Sequence, residues 1–411
     1  MGKWSTLAFL CGIFVVYTID RALLGVLAIP IQETTGVSDV QFGFLNSAVF
    51  WTYALCVPFA GLVGDRFDRR KIIALAAIAW SAMTLCAGFA NGFWSLLLLV
   101  SFAVTVPQTF YGPSVNALIA SLHKETRTIA LGCHQAAFYS GWFLSGFAVA
   151  GILTILGTWR AAYFIFGAVG LAAGTVFLLA NRRAAAVGGP EGGASADKPT
   201  LGASLRAYFG CPSALLAASG YILMTFVTCG YCAWGPKFVA VKFGLSPAAA
   251  GSGVMFYHYA AALVAILLAA AATDRFVGRC PRFRLALQIV TLLLAAPVLS
   301  FLAFGGVVAE VWVAAAAFGL LRGAFEANQF TSVFDVVPAR YRASAIGFTN
   351  VLAGMIGACS PVIMGWMSQK SGVRGLEFGF ALLGGALLVA AALMSVSFFF
   401  TLRRDRMKGL S

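Results

Sequence analysis

The chain has 411 residues, of which 61% are apolar and 10% are charged. Ordinary soluble domains carry about 25% charged residues, so this composition excludes a soluble globule and indicates an integral membrane protein. The formal net charge is +14. The positions of the basic residues, described below, assign this charge to membrane topology rather than to nucleic-acid binding.

Long uncharged stretches define the predicted elements, because a helix needs about 20 apolar residues to cross the hydrocarbon of a bilayer. Residues 72–122 contain no Asp, Glu, Lys or Arg. This stretch must hold two helices, and Asn91-Gly92 divides it because both residues favour turns. The sequence thus predicts an all-α polytopic membrane protein with twelve spans, at residues 5–30, 41–63, 72–90, 93–122, 128–157, 161–181, 212–236, 245–272, 285–306, 309–336, 343–369 and 377–401.

The basic residues concentrate on one side of the predicted membrane. Lys3, Lys124, Arg127 and the tail from Arg403 to Lys408 fall on the same side as the loop after span two. The opposite connections contain fewer, namely Arg160, Lys237, Lys242, Lys370 and Arg374. Since Lys and Arg concentrate in cytoplasmic loops, we expect a multi-pass protein of the inner (plasma) membrane with both termini in the cytoplasm.

Two short motifs occur once in each half of the chain. The octapeptide from Gly64 to Lys71 carries six charges, and Asp274-Arg275-Phe276-Val277-Gly278-Arg279 follows 209 residues after Asp65. The segments Arg127 to Gly132 and Arg342 to Gly347 are related in the same way. Such repeats indicate a duplicated membrane domain. We therefore predict an N-terminal six-helix half at 1–183, a Ser/Gly/Ala-rich cytoplasmic linker at 184–206 and a C-terminal six-helix half at 207–411.

The octapeptide loop predicts an inner gate. Asp65 can meet the positive N-terminal end of a helix from the other half, while Arg69 and Arg70 can reach cytoplasmic carboxylates. The alternative is a loop whose charge only sets the topology, but such a loop would not require Gly64 and Asp65. In the second half, Asp274 and Arg275 are the corresponding gating residues.

A charge within a span costs roughly 2.5 to 3.5 kcal/mol and usually serves a cavity, and the short list of such candidates is Asp20, Arg21, Arg322 and Glu326. Adjacent residues point about 100° apart on a helix, so Asp20 and Arg21 of span one cannot both point straight into the same cavity, and we expect one to face the centre and the other a neighbouring helix. Arg322 and Glu326 of span ten share one helix face at i,i+4. An Arg can bind a carboxylate or phosphate while an acid carries a proton. The alternative is a self-neutralising pair that only holds helices together.

Polar side chains in other spans are candidate selectivity groups. Gln108 and Tyr111 of span four, with His134 and Gln135 of span five, can hydrogen-bond a polar solute, and His134 can also titrate near neutral pH. For His134, and for His258 of span eight, a hydrogen bond to a neighbouring carbonyl is the structural alternative. The sequence contains no phosphate loop, nucleophile elbow or metal-ligand cluster, so neither an enzyme nor a cofactor nor a metal is expected.

The twelve spans and the Gly-Asp-Arg-x-x-Arg-Arg loop resemble the major facilitator superfamily over the whole chain. Ile19-Asp20-Arg21, the segment from Gly36 to Gln41 and Trp159-Arg160-Ala161-Ala162 resemble bacterial spinster-like members in particular, as do Val336-Val337-Pro338 and Ser360-Pro361. Organic-anion symporters share the Asp-Arg pair. This resemblance implies two pseudo-symmetric six-helix bundles around one central site that opens alternately to each side.

The chain departs from the spinster-like pattern in span four, which usually carries an Arg and a Gly-Glu-Ala. Ser101 and Pro107-Gln108-Thr109 stand at those places. We therefore expect a transporter of a small organic anion, such as a carboxylate or sugar acid, with proton cotransport. Arg21 and Arg322 would bind the anion, and Asp20 or Glu326 would carry the proton. Movement of a lysolipid or other amphiphile, movement of a neutral sugar, and a receptor that does not transport remain alternatives. The expected partners are the solute, a proton and the lipid bilayer, with the protein as a monomer and without nucleic acid.

Overall fold

The computed structural model describes residues 2–182, 200–278, 280, 282–334 and 336–401. Within these residues the chain forms helices joined by turns, and no strand is present. The helices are α1 (Lys3–Val26), α2 (Ala28–Thr35), α3 (Asp39–Arg66), α4 (Arg69–Ala87), α5 (Phe93–Leu122), α6 (Arg127–Leu156), α7 (Trp159–Ala180), α8 (Leu201–Phe209), α9 (Pro212–Phe243), α10 (Pro247–Phe276), α11 (Phe283–Phe304), α12 (Val308–Glu326), α13 (Thr331–Phe334), α14 (Arg342–Gly357) and α15 (Cys359–Val396).

Eleven helical stretches of the described chain are long and apolar enough to cross a membrane. The last of them, Ser344–Thr401, has 58 residues and would be about 87 Å long if straight, far more than the ~30 Å of bilayer hydrocarbon. The chain turns within it at Gly372, where φ is 58°, a conformation that glycine adopts at little cost. This stretch therefore supplies two passes, and the predicted all-helical, twelve-span architecture is confirmed.

Two predicted spans end earlier than expected. Predicted span one, residues 5–30, breaks at Leu27 between α1 and α2, because Pro30 lacks the amide that would continue the helix and its ring crowds the carbonyl of Val26. Predicted span ten, residues 309–336, ends at Glu326. Beyond it, Asn328 donates to Thr273 at 2.9 Å, and Ser332 is hydrogen-bonded to Gln288. These buried side-chain bonds hold a turn where the sequence predicts a continuous helix.

The predicted linker contains a helix at its C-terminal end. Residues 184–199 lie outside the described residues. Thr200 then caps α8 by accepting a hydrogen bond from the Ala203 amide at 3.3 Å, as N-cap threonines commonly do. Tyr208 anchors α8 through a 2.7 Å hydrogen bond to Thr349 of α14. The amphipathic α8 is thus part of the folded protein rather than a continuation of the low-complexity stretch.

The chain divides into two compact units, and the division does not follow the sequence halves. Unit 1 comprises Met1–Gly193 and Cys232–Phe256, and unit 2 comprises Ala194–Tyr231 and Tyr257–Ser411. The 232–256 segment, the end of α9 and the start of α10, therefore packs with the N-terminal helices. The core of unit 1 includes Leu10, Trp80, Tyr111, Val115 and Phe177, all fully buried or nearly so.

Close helix packing in unit 2 depends on glycines of α12. A Cβ added at Gly319 would lie 2.1 Å from the carbonyl oxygen of His258, and one added at Gly323 would lie 2.3 Å from that of Ala262. Both carbonyls belong to α10. Small residues at such contacts let membrane helices approach closely. Arg322 lies between these glycines in sequence and is brought against α10 by the same contact.

We predict that Gly319→Ala destabilises the protein, because the new methyl group must push two backbones apart, an overpacking cost of about 1–3 kcal/mol. The matched control is Gly385→Ala, since a Cβ at Gly385 meets no atom within 4 Å. Thermal unfolding in detergent measures the difference. Equal melting temperatures for the two variants would show that the α10–α12 contact is not tight.

Candidate functional site

Asp20 lies on α1 in unit 1 and is buried, with 9% of its surface exposed. Its Oδ2 accepts a hydrogen bond from Thr84 of α4 at 3.2 Å. Its Oδ1 is buried and has no hydrogen-bond partner among the described residues. Asp20 therefore forms no ion pair with the described side chains, so a proton can be gained or lost there without breaking one.

Arg21 follows Asp20 on α1 and makes contacts of its own, although both residues line the cavity described next. Its Nη1 donates to the Tyr17 hydroxyl at 3.1 Å. The guanidinium carbon lies 4.7 Å from the centre of the Tyr53 ring and 5.4 Å from that of Phe50. Aromatic faces stabilise a cation at such distances. The charge of Arg21 is thus held by rings while its planar donors stay beside the cavity described next.

A small cavity brings three of the predicted residues together. Asp20, Arg21 and Gln108 line it with Asn46 and Trp142, and its volume is about 30 Å³, roughly the space of one water molecule. The Gln108 Nε2 is buried and has no hydrogen-bond partner in the part of the chain that the structure describes. A π-helical turn at Leu97–Val104 precedes this residue in α5. Occupation by an organic solute would require the surrounding helices to separate.

Tyr111 and His134 do not line this cavity. Tyr111 is fully buried, and its hydroxyl donates to the Leu10 carbonyl at 2.8 Å, so in this conformation it joins α5 to α1. His134 stacks on Phe14, with ring centres 4.1 Å apart. His134 and Gln135 instead line a second cavity of about 540 Å³ with Asn116 and Arg127. The Nε2 of His134 is buried, and no described residue forms a hydrogen bond with it.

In unit 2, the predicted pair on α12 is formed and is extended by a histidine. Arg322 is 5% exposed, and its Nε donates to Glu326 at 2.7 Å. Its Nη1 lies 2.9 Å from Nε2 of His258, and its guanidinium carbon lies 5.1 Å from the Tyr259 ring centre. The i,i+4 spacing predicts the ion pair. The contact to α10 depends on the tertiary packing. The sequence did not decide whether His258 is a site residue or only a hydrogen-bonded structural residue.

The predicted gate is described only in part. The side chains of Gly64 and Asp65 lie outside the described residues. Asp68 caps α4 by accepting a hydrogen bond from the Arg70 amide at 3.1 Å, and Arg69 and Arg70 occupy the first turn of that helix. Asp274 and Arg275 lie exposed in the last turn of α10. Their gating roles stay predictions.

A charged cluster that the sequence analysis did not single out lies at the opposite end of α3. We call Gln32, Asp39 and Lys237 the Lys237 clamp. Lys237 forms an ion pair with Asp39 and donates to Gln32 at 2.6 Å, and Gln32 donates to Asp39 at 2.8 Å. The clamp joins the 232–256 segment to α2 and α3 within unit 1. The available signals were a Lys near the end of an otherwise apolar helix and an acid at the start of α3.

Glycine contacts reinforce the clamp. A Cβ at Gly25 would lie 2.4 Å from the carbonyl oxygen of Cys232, and one at Gly146 would lie 2.4 Å from Cα of Ser252. Backbone therefore meets backbone along the 232–256 segment. Cys232, which is 8% exposed, is protected by this packing and can report on its opening.

We predict that Asp39→Asn increases maleimide labelling of Cys232 about fivefold or more, because a partly buried charge pair contributes more than the ~0–1 kcal/mol of an exposed one. The swapped variant Asp39→Lys with Lys237→Asp should restore protection. Lys370→Gln, a lysine of unit 2, is the control. Peptide mass spectrometry of the labelled protein gives the rates. Unchanged labelling in Asp39→Asn would show that the glycine contacts alone hold the segment.

Comparison with known proteins agrees with this architecture. Human protein spinster homolog 1 is 26% identical over 429 aligned residues, covering 94% of this chain and 80% of that protein. The D-galactonate transporter of Escherichia coli O6:H1 is 28% identical over 170 residues, covering 41% of this chain and 39% of that protein. The crystal structure of a bacterial homolog to the human lysosomal transporter spinster, in an inward-facing and unoccupied conformation, has a similar fold. Its TM-score is 0.84 at 21% identity, over 98% of both chains.

The resemblance predicted from the sequence motifs is therefore confirmed at the level of fold and of relatives. A transporter, rather than an enzyme, is what family and fold indicate. The Major Facilitator Superfamily profile matches residues 9–360, and the chain belongs to this superfamily.

Proposed function

We propose that the protein is a secondary active transporter that carries a small organic anion, such as a sugar acid or other carboxylate, across the inner membrane together with a proton. The observation that carries this proposal is the buried Arg322, whose charge is shared between Glu326 and His258. A guanidinium can bind a carboxylate through two parallel hydrogen bonds. Support also comes from the similarity to a transporter named for D-galactonate, an organic anion.

Arg322 offers a physical route to proton coupling. An anionic solute that approaches this guanidinium competes with Glu326 for the same donors. A buried carboxylate that loses its cationic partner is left in a poorly solvated site, where taking up a proton removes the uncompensated charge. Binding of the anion and protonation of Glu326 would then favour each other, which is the requirement for cotransport.

Span four supplies no ionisable group to this mechanism. Ser101, at the position where spinster-like proteins usually carry an Arg, is fully buried and donates to the Leu45 carbonyl at 3.0 Å. It joins α5 to α3, and Gln108 brings an uncharged amide to the small cavity. In unit 1 the candidate proton carrier is therefore Asp20, and the candidate anion partner is Arg21.

The proposed transport cycle uses the two cavities of unit 1 that are lined by Asp20 and by His134. The site at Asp20, Arg21 and Gln108 opens when the Lys237 clamp separates, and the larger cavity at His134 and Gln135 receives the solute on the side that we expect to be cytoplasmic. The gating residues of the Gly64 loop would close that side. Both termini would then be cytoplasmic, as the basic residues predict.

We predict that Arg322→Gln abolishes acid-stimulated uptake of D-galactonate into proteoliposomes. A panel with a small monocarboxylate, D-galactose and a lysophospholipid tests the solute class. Removing one partner of a buried ion pair destabilises a protein by about 3–5 kcal/mol, so the matched variant is Arg322→Gln with Glu326→Gln, which removes both charges. Loss of uptake in a double variant that unfolds like wild type assigns the defect to the loss of the charged pair rather than to misfolding.

Different outcomes of this panel would contradict the proposal. Uptake of D-galactose that survives Arg322→Gln would favour a neutral sugar and reduce the ion pair to a helix contact. Movement of the lysophospholipid without uptake of either acid would favour the amphiphile alternative.

A separate prediction concerns Asp20. Asp20→Asn has the same shape and keeps an oxygen that can accept the Thr84 hydrogen bond, but it cannot carry a proton. We expect loss of acid-driven accumulation while exchange of solute between the two sides continues. Accumulation and counterflow measured on the same proteoliposomes separate the two steps. Normal accumulation by Asp20→Asn would exclude Asp20 as the proton carrier.

A further inference from the structure

The contact between Arg322 and His258 fixes the chemical state of the histidine. Arg322 Nη1 lies 2.9 Å from His258 Nε2. An arginine side chain only donates hydrogen bonds and keeps its charge in proteins. Nε2 must therefore accept with its lone pair, and the ring proton of His258 resides on Nδ1. Nδ1 is buried and has no hydrogen-bond partner among the described residues.

A proton and Arg322 compete for the same lone pair. If Nε2 were protonated, two cationic groups would face each other with donors on both sides, and the hydrogen bond would be lost. The surrounding rings leave the imidazole little freedom to turn aside. His258 is fully buried, with the ring centre of Tyr231 at 4.6 Å, that of Phe318 at 4.9 Å and that of Tyr259 at 4.9 Å.

The titratable and charged groups around His258 come from three helices. Arg322 and Glu326 belong to α12, and Tyr259 belongs to α10 itself. Tyr231 packs on the imidazole from α9, and Tyr221 of α9 interacts electrostatically with both Glu326 and Arg322. Glu326 is thus the acid of this cluster, and it neutralises Arg322 while His258 is uncharged. A proton added at His258 would give the cluster a net positive charge, which an anionic solute would neutralise.

We propose that His258 is a positioning residue that controls the availability of Arg322: its protonation releases the guanidinium from Nε2 so that an anion can bind it. This inference rests on the proposed function and goes beyond it, because it places a second proton-responsive group beside the anion partner. Proton and anion then increase each other's affinity by the same factor, as linkage requires. Asp20 retains its separate role in unit 1.

The test is equilibrium binding of D-galactonate to purified protein by calorimetry, in buffers of different ionisation enthalpy, which counts the protons taken up with the anion. Sugar acids stay ionised between pH 5.5 and 7.5, as an α-carboxyl with a pKa of about 3.5 does. For wild type we expect net proton uptake and a Kd that falls about tenfold or more as the pH is lowered across this range. His258→Gln offers an acceptor that cannot be protonated, so it should take up about one proton fewer with the anion than wild type does, and its Kd should depend less on pH.

Three variants make the result specific. His258→Asn is a second non-titrating replacement if the glutamine variant does not fold. His123→Gln is the matched control, because His123 contacts Thr126 and the Lys3 carbonyl in unit 1 and should leave binding unchanged. Glu326→Gln asks whether Glu326 alone accounts for the proton that is taken up with the anion.

The outcomes separate the two proposals. If wild type binds D-galactonate with proton uptake and the His258 variants take up fewer protons than wild type, the inference holds. If the His258 variants take up as many protons as wild type and keep its full pH dependence of Kd, the inference is overturned while anion transport stands. If wild type binds no acid of the uptake panel, the proposed function fails and the inference fails with it.

Discussion

The cost of placing charge in hydrocarbon shapes this protein more than any other constraint. A charged side chain within a span must be paired, covered by polarizable groups or turned toward water. Arg322 satisfies this requirement through Glu326 and His258, and Arg21 does so through Tyr17 and two aromatic faces. Asp20 differs, since one of its oxygens accepts from Thr84 and the other is buried with no hydrogen-bond partner among the described side chains. The three charged groups therefore have different surroundings, and the ligands or protons that each can accept differ accordingly.

Pairing inside the membrane also makes the charges responsive to one another. Glu326 and His258 use different nitrogens of one guanidinium, so a ligand that moves Arg322 changes the surroundings of both. Charged groups that were fully satisfied by backbone would not respond in this way. The cluster can therefore hold α12 against α10 in one state and bind a solute in another. An Arg-Glu pair that holds helices together and an Arg-Glu pair that binds a solute are thus compatible interpretations.

Close backbone contact defines how the helices can move. Gly25, Gly146 and Gly251 place the 232–256 segment directly against the N-terminal helices of unit 1, and the Lys237 clamp adds an ion pair to this packing. Contacts of this kind either form fully or open. Backbone atoms that pack directly against a glycine lose this close packing when the two helices move apart slightly. The small cavity at Asp20 and the larger one at His134 lie within the same unit, so opening at one place can accompany closure at another.

The sequence by itself determined the membrane class, the twelve passes, the superfamily resemblance and the helix face that Arg322 and Glu326 share. These features depend on local composition or on helical spacing, which a single chain reveals. Two boundaries differ from the prediction. Pro30 breaks the first span at Leu27, although the predicted span continued to residue 30. Side-chain bonds to Thr273 and Gln288 hold a turn after α12 ends at Glu326. Only the tertiary structure decided that Gln108 lies beside Asp20, that His134 lines another cavity, that Lys237 reaches Asp39, and that His258 accepts from Arg322. Each of these contacts joins residues from different helices. The rotation and depth of one helix relative to another follow from packing between helices rather than from the residues adjacent in sequence.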